Sequence, residues 1–398
     1  MRAFFRDDTF DFQTRLTLGA TFGQGAEVGE VLATIERVQD GHADTWITAW
    51  EATAARLRDE AVRRRDAGHR RSAAAAYLRA ARYFDTATYA AFGGEGEHLF
   101  NALWEDYRSC WDAFVDLGDR AVERVEIPYE DTTLPGYFLS AGPGRRRTLI
   151  LVNGSDGSVV DMWMQGGLEG NARGWHVLIF DGPGQGAALV RQKLYFRPDW
   201  EHVVTPVVDY LAARRDVDRD RIAISGVSQG GYWVPRALAY EHRIAAGVAD
   251  PGVLDVSTAM LDHLPHSMVK LLEQGQKTRF DKEMRLSARV SKKTAAMMAF
   301  RFHPYGLDSA FEVFKRAMEF SLSDREIDRI DTPLLVTDPE DEQFWPGQSV
   351  ELHEKLPGRK TLISFGRRDG ANFHCEPMAP GLRNERVFDW LDEVVPAD

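Results

Sequence analysis

Cysteine is scarce. The 398 residues hold two, Cys110 and Cys375. At most one bridge can form, which excludes a disulfide framework and suits a reducing cytoplasm. Long apolar runs are missing as well. Nothing approaches the ~18 consecutive apolar residues that a membrane span requires. The opening Met1-Arg-Ala-Phe-Phe-Arg lacks the apolar stretch of a signal peptide. Positive charge is in deficit, with 49 Lys and Arg against 61 Asp and Glu, a net charge of −12. That balance argues against an extended nucleic-acid surface. Arg63-Arg64-Arg65 and Arg70-Arg71 read as a solvated helix face and its end, and Arg145-Arg146-Arg147 as a loop. Proline is absent between residues 27 and 117, so nothing there interrupts helices.

What is present is a chain long enough for two domains. Residues 27–117 are rich in alanine and arginine, with apolar residues at helical spacing, as in Tyr77-Leu78, Ala81, Phe84, Tyr89 and Phe92. Gly68, Gly93-Gly94 and Gly96 punctuate them into hairpin-like helices. Near Val122 the pattern changes. Val125–Tyr129 and Leu134–Leu139 read as a hairpin of strands. Short apolar runs follow at 148–152, 175–180, 222–225, 245–249, 333–337 and 361–365. Such runs suit strands buried on both faces, and the helical stretches between them predict a mostly parallel sheet covered by helices. About eighty residues, 252–331, separate the last two runs from the rest, far more than a parallel connection needs. We expect a helical domain over 1–121 and an α/β domain over 122–398 that carries a helical cap at about 252–331. The cap holds Met260, Met268, Met284, Met297, Met298 and Met318, a composition that suits an adaptable apolar pocket wall.

The most informative segment is Gly226-Val-Ser228-Gln-Gly230, directly after Arg221-Ile-Ala-Ile-Ser225 and before a helix-forming stretch from Tyr232. Strand, G-x-S-x-G turn and helix form the nucleophile elbow of α/β-hydrolases. Eight strands with the serine after the fifth is the plan of that fold. A serine hydroxyl needs a base, and the base needs an acid to fix its tautomer. His374 lies in the loop between the last strand and the C-terminal helix, where this fold delivers its histidine. The acid falls on Glu342, with Asp341 as the alternative and Asp250, Asp255 and Asp338 behind them.

An oxyanion hole needs two backbone N–H groups. Gln229, after the nucleophile, supplies one. The loop Asn153-Gly-Ser155-Asp156 supplies the other, through Ser155 ahead of Asp156. The Asn153-Gly-Ser155 sequon is read as part of this loop and not as a glycosylation site. Trp163, Tyr232 and Trp233 are candidate pocket-lining aromatics. Asp181-Gly-Pro-Gly-Gln-Gly-Ala187 satisfies G-x-G-x-x-A, but it follows the fourth strand of a sheet that already has an elbow, so it reads as a tight turn and not a dinucleotide site. His263 and His266 lack a third ligand, and no metal or cofactor is expected.

Asp199-Trp-Glu, Pro206-Val-Val-Asp-Tyr-Leu, Val217-Asp-Arg-Asp-Arg-Ile-Ala-Ile-Ser-Gly-Val-Ser-Gln-Gly-Gly-Tyr and the late His374-Cys375 resemble one branch of the α/β-hydrolases. It contains 2,6-dihydroxypseudooxynicotine hydrolase, the fungal polyketide-shortening hydrolases and the fermentation–respiration switch protein. The resemblance implies metal-free cleavage of an ester or of a carbon–carbon bond in an acylated aromatic ketone or polyketide. It carries Ser228 and His374 over as catalytic, and departs from the family at Glu342, where aspartate is usual. A small-molecule substrate follows, with no nucleic-acid or membrane partner. Dimerisation through the N-terminal helices would fit the resemblance. The competing readings are a partner-binding regulatory protein on a hydrolase scaffold and a peptidase of the prolyl-oligopeptidase type.

Overall fold

An antiparallel hairpin opens the sheet, β1 (Val122–Tyr129) pairing with β2 (Thr132–Leu139) along its whole length. β2 pairs antiparallel with β4 (His176–Phe180). Every later pairing is parallel: β4 with β3 (Arg146–Val152), β3 with β5 (Val217–Val227), then β6 (Ala246–Asp250), β7 (Leu334–Pro339) and β8 (Lys360–Phe365). The spatial order is β1-β2-β4-β3-β5-β6-β7-β8. β4 and β6 are buried at every position, as continuous apolar runs in a sheet covered on both faces should be. Helix Glu201–Ala213 contributes Val203, Val204, Val207, Val208 and Leu211 to the core, joined by Ile222 and Ile224 of β5. After β3 the chain moves outward to β4, then crosses back past β3 to β5. The connections therefore leave β3 and β5 in opposite directions, and a crevice opens at their carboxyl ends. Val152 ends β3 and Val227 ends β5, so the Asn153 loop and Ser228 meet at that switch point.

The structure, a computed structural model, describes residues 3–397, which divide into two compact units. One takes the chain up to Ala121 together with Ser287–Arg301 and Pro377–Gly381. The other takes Val122–Leu286, Phe302–Glu376 and the chain from Leu382. The first unit is helical, with helices Asp8–Gly19, Val28–Ile35, Ala43–Asp66, Arg70–Thr88 and Glu97–Leu117. Trp46 and Trp50, one turn apart on a single helix, are fully buried. Phe10 stacks on Trp46 at 4.3 Å and Trp50 meets Tyr83.

The insertion at 252–331 departs from the expected single cap. Ser287–Arg301 clusters with the N-terminal helices, where the Phe300 ring lies 5.8 Å from Tyr89 and 6.0 Å from Phe92. A helix at Lys277–Val290 escaped the sequence reading because its buried residues are few, Phe280, Asp281 and Met284. The methionines do not form one wall. Met268 and Met284 are buried, whereas Met297 and Met318 are exposed. No helix among the described residues is long and apolar enough to cross a membrane.

Candidate active site

Ser228 has φ +55°, a left-handed conformation that a non-glycine residue adopts at a cost of about 1–3 kcal/mol. The surroundings over-determine it. The Ser228 N–H donates to the Asp250 carbonyl at 2.7 Å, and the Ser228 carbonyl accepts from Gly231 N–H at 2.8 Å. The flanking glycines are steric necessities. A Cβ at Gly226 would run into the Gly230 carbonyl, and one at Gly231 into the Pro251 carbonyl. The serine is thereby held at the tip of β5, at the start of helix Gly230–Leu238.

His374 Nε2 lies 2.9 Å from Ser228 Oγ, and His374 Nδ1 lies 2.8 Å and 3.0 Å from the two Glu342 carboxylate oxygens. With Nδ1–H donating to Glu342, the Nε2 lone pair faces Ser228 Oγ. Both side chains are about 5% exposed. Burial pushes the Glu342 carboxyl up, but the His374 ring and the N–H groups of Phe344 and Trp345 outweigh it and hold the acid below the ordinary glutamate range. The Phe344 and Trp345 rings flank the imidazole at 4.7 Å and 5.6 Å. Phe344, partly exposed beside His374, was missed in the sequence; its position two residues after Glu342 was the available signal.

The alternative acid, Asp341, is elsewhere. Its carboxylate accepts from Arg367 and from Asn372 Nδ2, contacts that hold it down at about 2. Its N–H donates to Asn372 O at 2.7 Å, so it braces the histidine loop. Asp250 is bonded to Thr337 and Arg383, and Asp255 accepts from Ser257. Asp338 is pushed up by burial, and next by the Glu342 charge.

Two of the expected pocket aromatics are core residues. Trp233 stacks on Trp200 at 4.3 Å, and Tyr232, fully buried, donates to the Pro198 carbonyl. They occupy adjacent positions on a helix buried nearly all round, so neither is left to face substrate. Trp163 is 4% exposed, in the segment that follows helix Val159–Met162.

At the end of β3, Gly154 lies against Ser228: a Cβ there would stand 2.7 Å from Ser228 Cβ. Its N–H donates to Asn153 Oδ1 at 2.8 Å. Gln229 sits at the N-cap of the elbow helix, where N–H groups lack intrahelical acceptors. Among the described residues no group of three or more His, Cys, Asp and Glu side chains could hold a metal ion. Cys110 and Cys375 are both free and buried.

Sequence reasoning also missed a charged cluster behind the histidine. Arg383 Nε donates to Asp250 Oδ2 at 2.8 Å, and its Nη1 donates to the Gln165 carbonyl. Glu376, with no exposed surface, lies among Asp250, Arg383 and Glu342. Burial, and next the Asp250 charge, push its carboxyl well above the ordinary range. A raised carboxyl contributes stability that is complete below the unfolded pKa of about 4.3 and is lost as pH climbs toward the folded value. Glu376→Gln is therefore expected to gain on the native protein by about 1.4 kcal/mol per pH unit above that point. Thermal melts from pH 4 to 8 check this. A gap that stays constant with pH would mean that Glu376 titrates normally.

The elbow, the hydrogen-bonded serine, histidine and carboxylate, and the switch-point position place the chain in the α/β-hydrolase superfamily, to which it belongs. It is a hydrolase of the group that includes several fungal enzymes. It is 32% identical over 421 residues to hydrolase LUC6 of Fusarium sp, spanning 99% of this chain and 98% of that one. It is 29% identical to 20-hydroxy-prefusarin hydrolase FUS2 of Gibberella moniliformis, over 98% of both chains. The prolyl oligopeptidase family model matches residues 203–300. Among solved structures, 2,6-dihydroxy-pseudo-oxynicotine hydrolase has the same fold, with a TM-score of 0.74 at 19% identity, covering 96% of this chain and 95% of that one.

Proposed function

We propose that this enzyme is a serine hydrolase acting through an acyl-enzyme on a small ester or 1,3-dicarbonyl substrate of aromatic or polyketide-like character. The observation that carries the reading is the continuous hydrogen-bonded line from Glu342 through His374 to a strained, sharply presented Ser228. His374 Nε2 takes the Oγ proton as Oγ attacks the substrate carbonyl. The oxyanion is held by the N–H groups of Gln229 and Ser155. On collapse, the bond to the leaving group breaks and His374 returns the proton to it. An ester releases an alcohol. A 1,3-dicarbonyl releases a carbon whose electron pair is taken up by its adjacent carbonyl as an enol. Water, deprotonated by His374, then releases the acid and restores Ser228. Glu342 keeps the imidazole in the required tautomer and offsets its charge in both halves.

Full-length similarity to an enzyme named for 20-hydroxy-prefusarin favours a small organic substrate over a peptide. Trp163 is the aromatic proposed for substrate contact, together with Phe344 beside the base. Labelling with a fluorophosphonate probe, followed by intact-mass analysis and peptide mapping, tests the reading. One adduct on Ser228 is expected. No adduct under conditions that label a control serine hydrolase would sink it. A panel of aromatic esters and 1,3-diketones then separates the two bond types.

A further inference from the structure

The turn Asp181-Gly-Pro-Gly-Gln-Gly-Ala187 after β4 has the glycine spacing of a dinucleotide fingerprint and no such role in this fold. Its glycines are explained by the turn. Gly184, at φ +82°, leaves room for the Phe196 ring, and Gly186, at φ +39°, packs on the Asp181 carboxylate. Asp181 in turn accepts the Ala187 N–H at 3.0 Å, and its own N–H donates to the Pro135 carbonyl. What this rigid turn presents is the side chain of Gln185, 3% exposed.

Both polar atoms of that amide are used. Gln185 Oε1 accepts the Gly182 N–H at 2.9 Å, which fixes the amide's orientation. Nε2 donates to the carbonyls of Asn153 at 2.8 Å and Gly154 at 3.0 Å. Those two carbonyls belong to the loop at the end of β3 that lies against Ser228. In a trans peptide the C=O and the following N–H point to opposite sides of one plane. Holding the Gly154 carbonyl on Gln185 therefore aims the Ser155 N–H away from Gln185. The neighbouring Gly154 N–H is taken up by Asn153 Oδ1, so of these two N–H groups the Ser155 one is left for a developing oxyanion.

We propose that Gln185 is the positioning residue of the oxyanion hole: it clamps the carbonyls of Asn153 and Gly154 so that the Ser155 N–H is pre-aimed at the charge that forms over Ser228. The inference rests on the acyl-enzyme reading above. Gln185 touches no substrate; it acts through the peptide plane it holds. Preorganised donors stabilise a transition state because no reorientation is left to be done when charge appears.

Inactivation by the fluorophosphonate separates the terms, because its phosphoryl oxygen develops charge in the same hole. Gln185→Met keeps the length without the donors. Gln185→Glu keeps the shape and the acceptor for Gly182 but turns an oxygen toward the two carbonyls. In both variants the maximal inactivation rate is expected to fall roughly 10²-fold, the order seen when one oxyanion donor is lost. The half-saturating probe concentration should stay within about threefold, since ground-state binding is untouched. Should Gln185→Met fail to fold, Gln185→Glu carries the test. A folded variant whose maximal rate stays within threefold of the native enzyme, or whose loss lies wholly in half-saturation, would overturn the positioning role. Native enzyme that takes no label would instead overturn the serine-hydrolase reading on which this rests.

Discussion

Ser228→Ala is expected to lower turnover by on the order of 10⁴ or more and to leave the fold intact. Alanine at φ +55° is no worse placed than serine, and the Ser228 N–H bond to Asp250 is a backbone contact that survives the change. What is lost is the atom 2.9 Å from His374 Nε2. The remaining donors and binding contacts still offer some acceleration over water, so the variant should be slow but not inert. Steady-state turnover on any substrate the native enzyme accepts, with a thermal melt as control, measures this. Activity within tenfold of native, with an unchanged melt, would remove Ser228 from the mechanism.

The second large effect distinguishes two adjacent carboxylates. Glu342→Gln presents an amide that can donate to His374 Nδ1, stabilising the tautomer whose Nε2 carries a hydrogen and cannot take the serine proton. A loss near 10⁴-fold in kcat is the scale for an amide at the triad acid. Asp341→Asn is expected to cost less than tenfold, because Asp341 reaches Arg367 and Asn372 and not the imidazole. Matched single-variant kinetics decide the question. Comparable losses in the two variants would break the assignment of Glu342 as the orienting acid.

The legible parts of this site were the locally encoded ones. Arg221–Ser225 followed by G-x-S-x-G names an elbow because apolar run, steric turn and helix are contiguous. His374 was legible from its place after the last strand. The carboxylate that bonds His374 Nδ1 was legible from its offset from β7, although glutamate stands where the family resemblance leads one to expect aspartate. The Phe344 and Trp345 N–H groups close on that carboxylate and hold it in place. The illegible parts depend on distant segments meeting. Asp250 and Arg383 are 133 positions apart, and no pattern near Glu376 announces that it will be buried beside them. Side-chain direction was equally hidden. Tyr232 and Trp233 look like pocket aromatics in sequence, but the helix that carries them is enclosed by core, which leaves no face for substrate. Gln185 was masked by its own motif, since the glycine spacing drew attention from the one polar side chain between them.

The division of the insertion between β6 and β7 bears on how this enzyme's selectivity can be redesigned. Grafting residues 252–331 from a relative is the obvious chimera, since Ser228, Glu342, His374 and the loop after β3 lie outside that stretch. Yet Ser287–Arg301 is a structural member of the helical unit, where Phe300 is seated on Tyr89 and Phe92. A donor segment with a different residue at 300 would arrive without its socket. The exchangeable module is therefore discontinuous: the insertion travels with its docking residues from the N-terminal helices, and natural variation at 89, 92 and 300 should be inherited as a set.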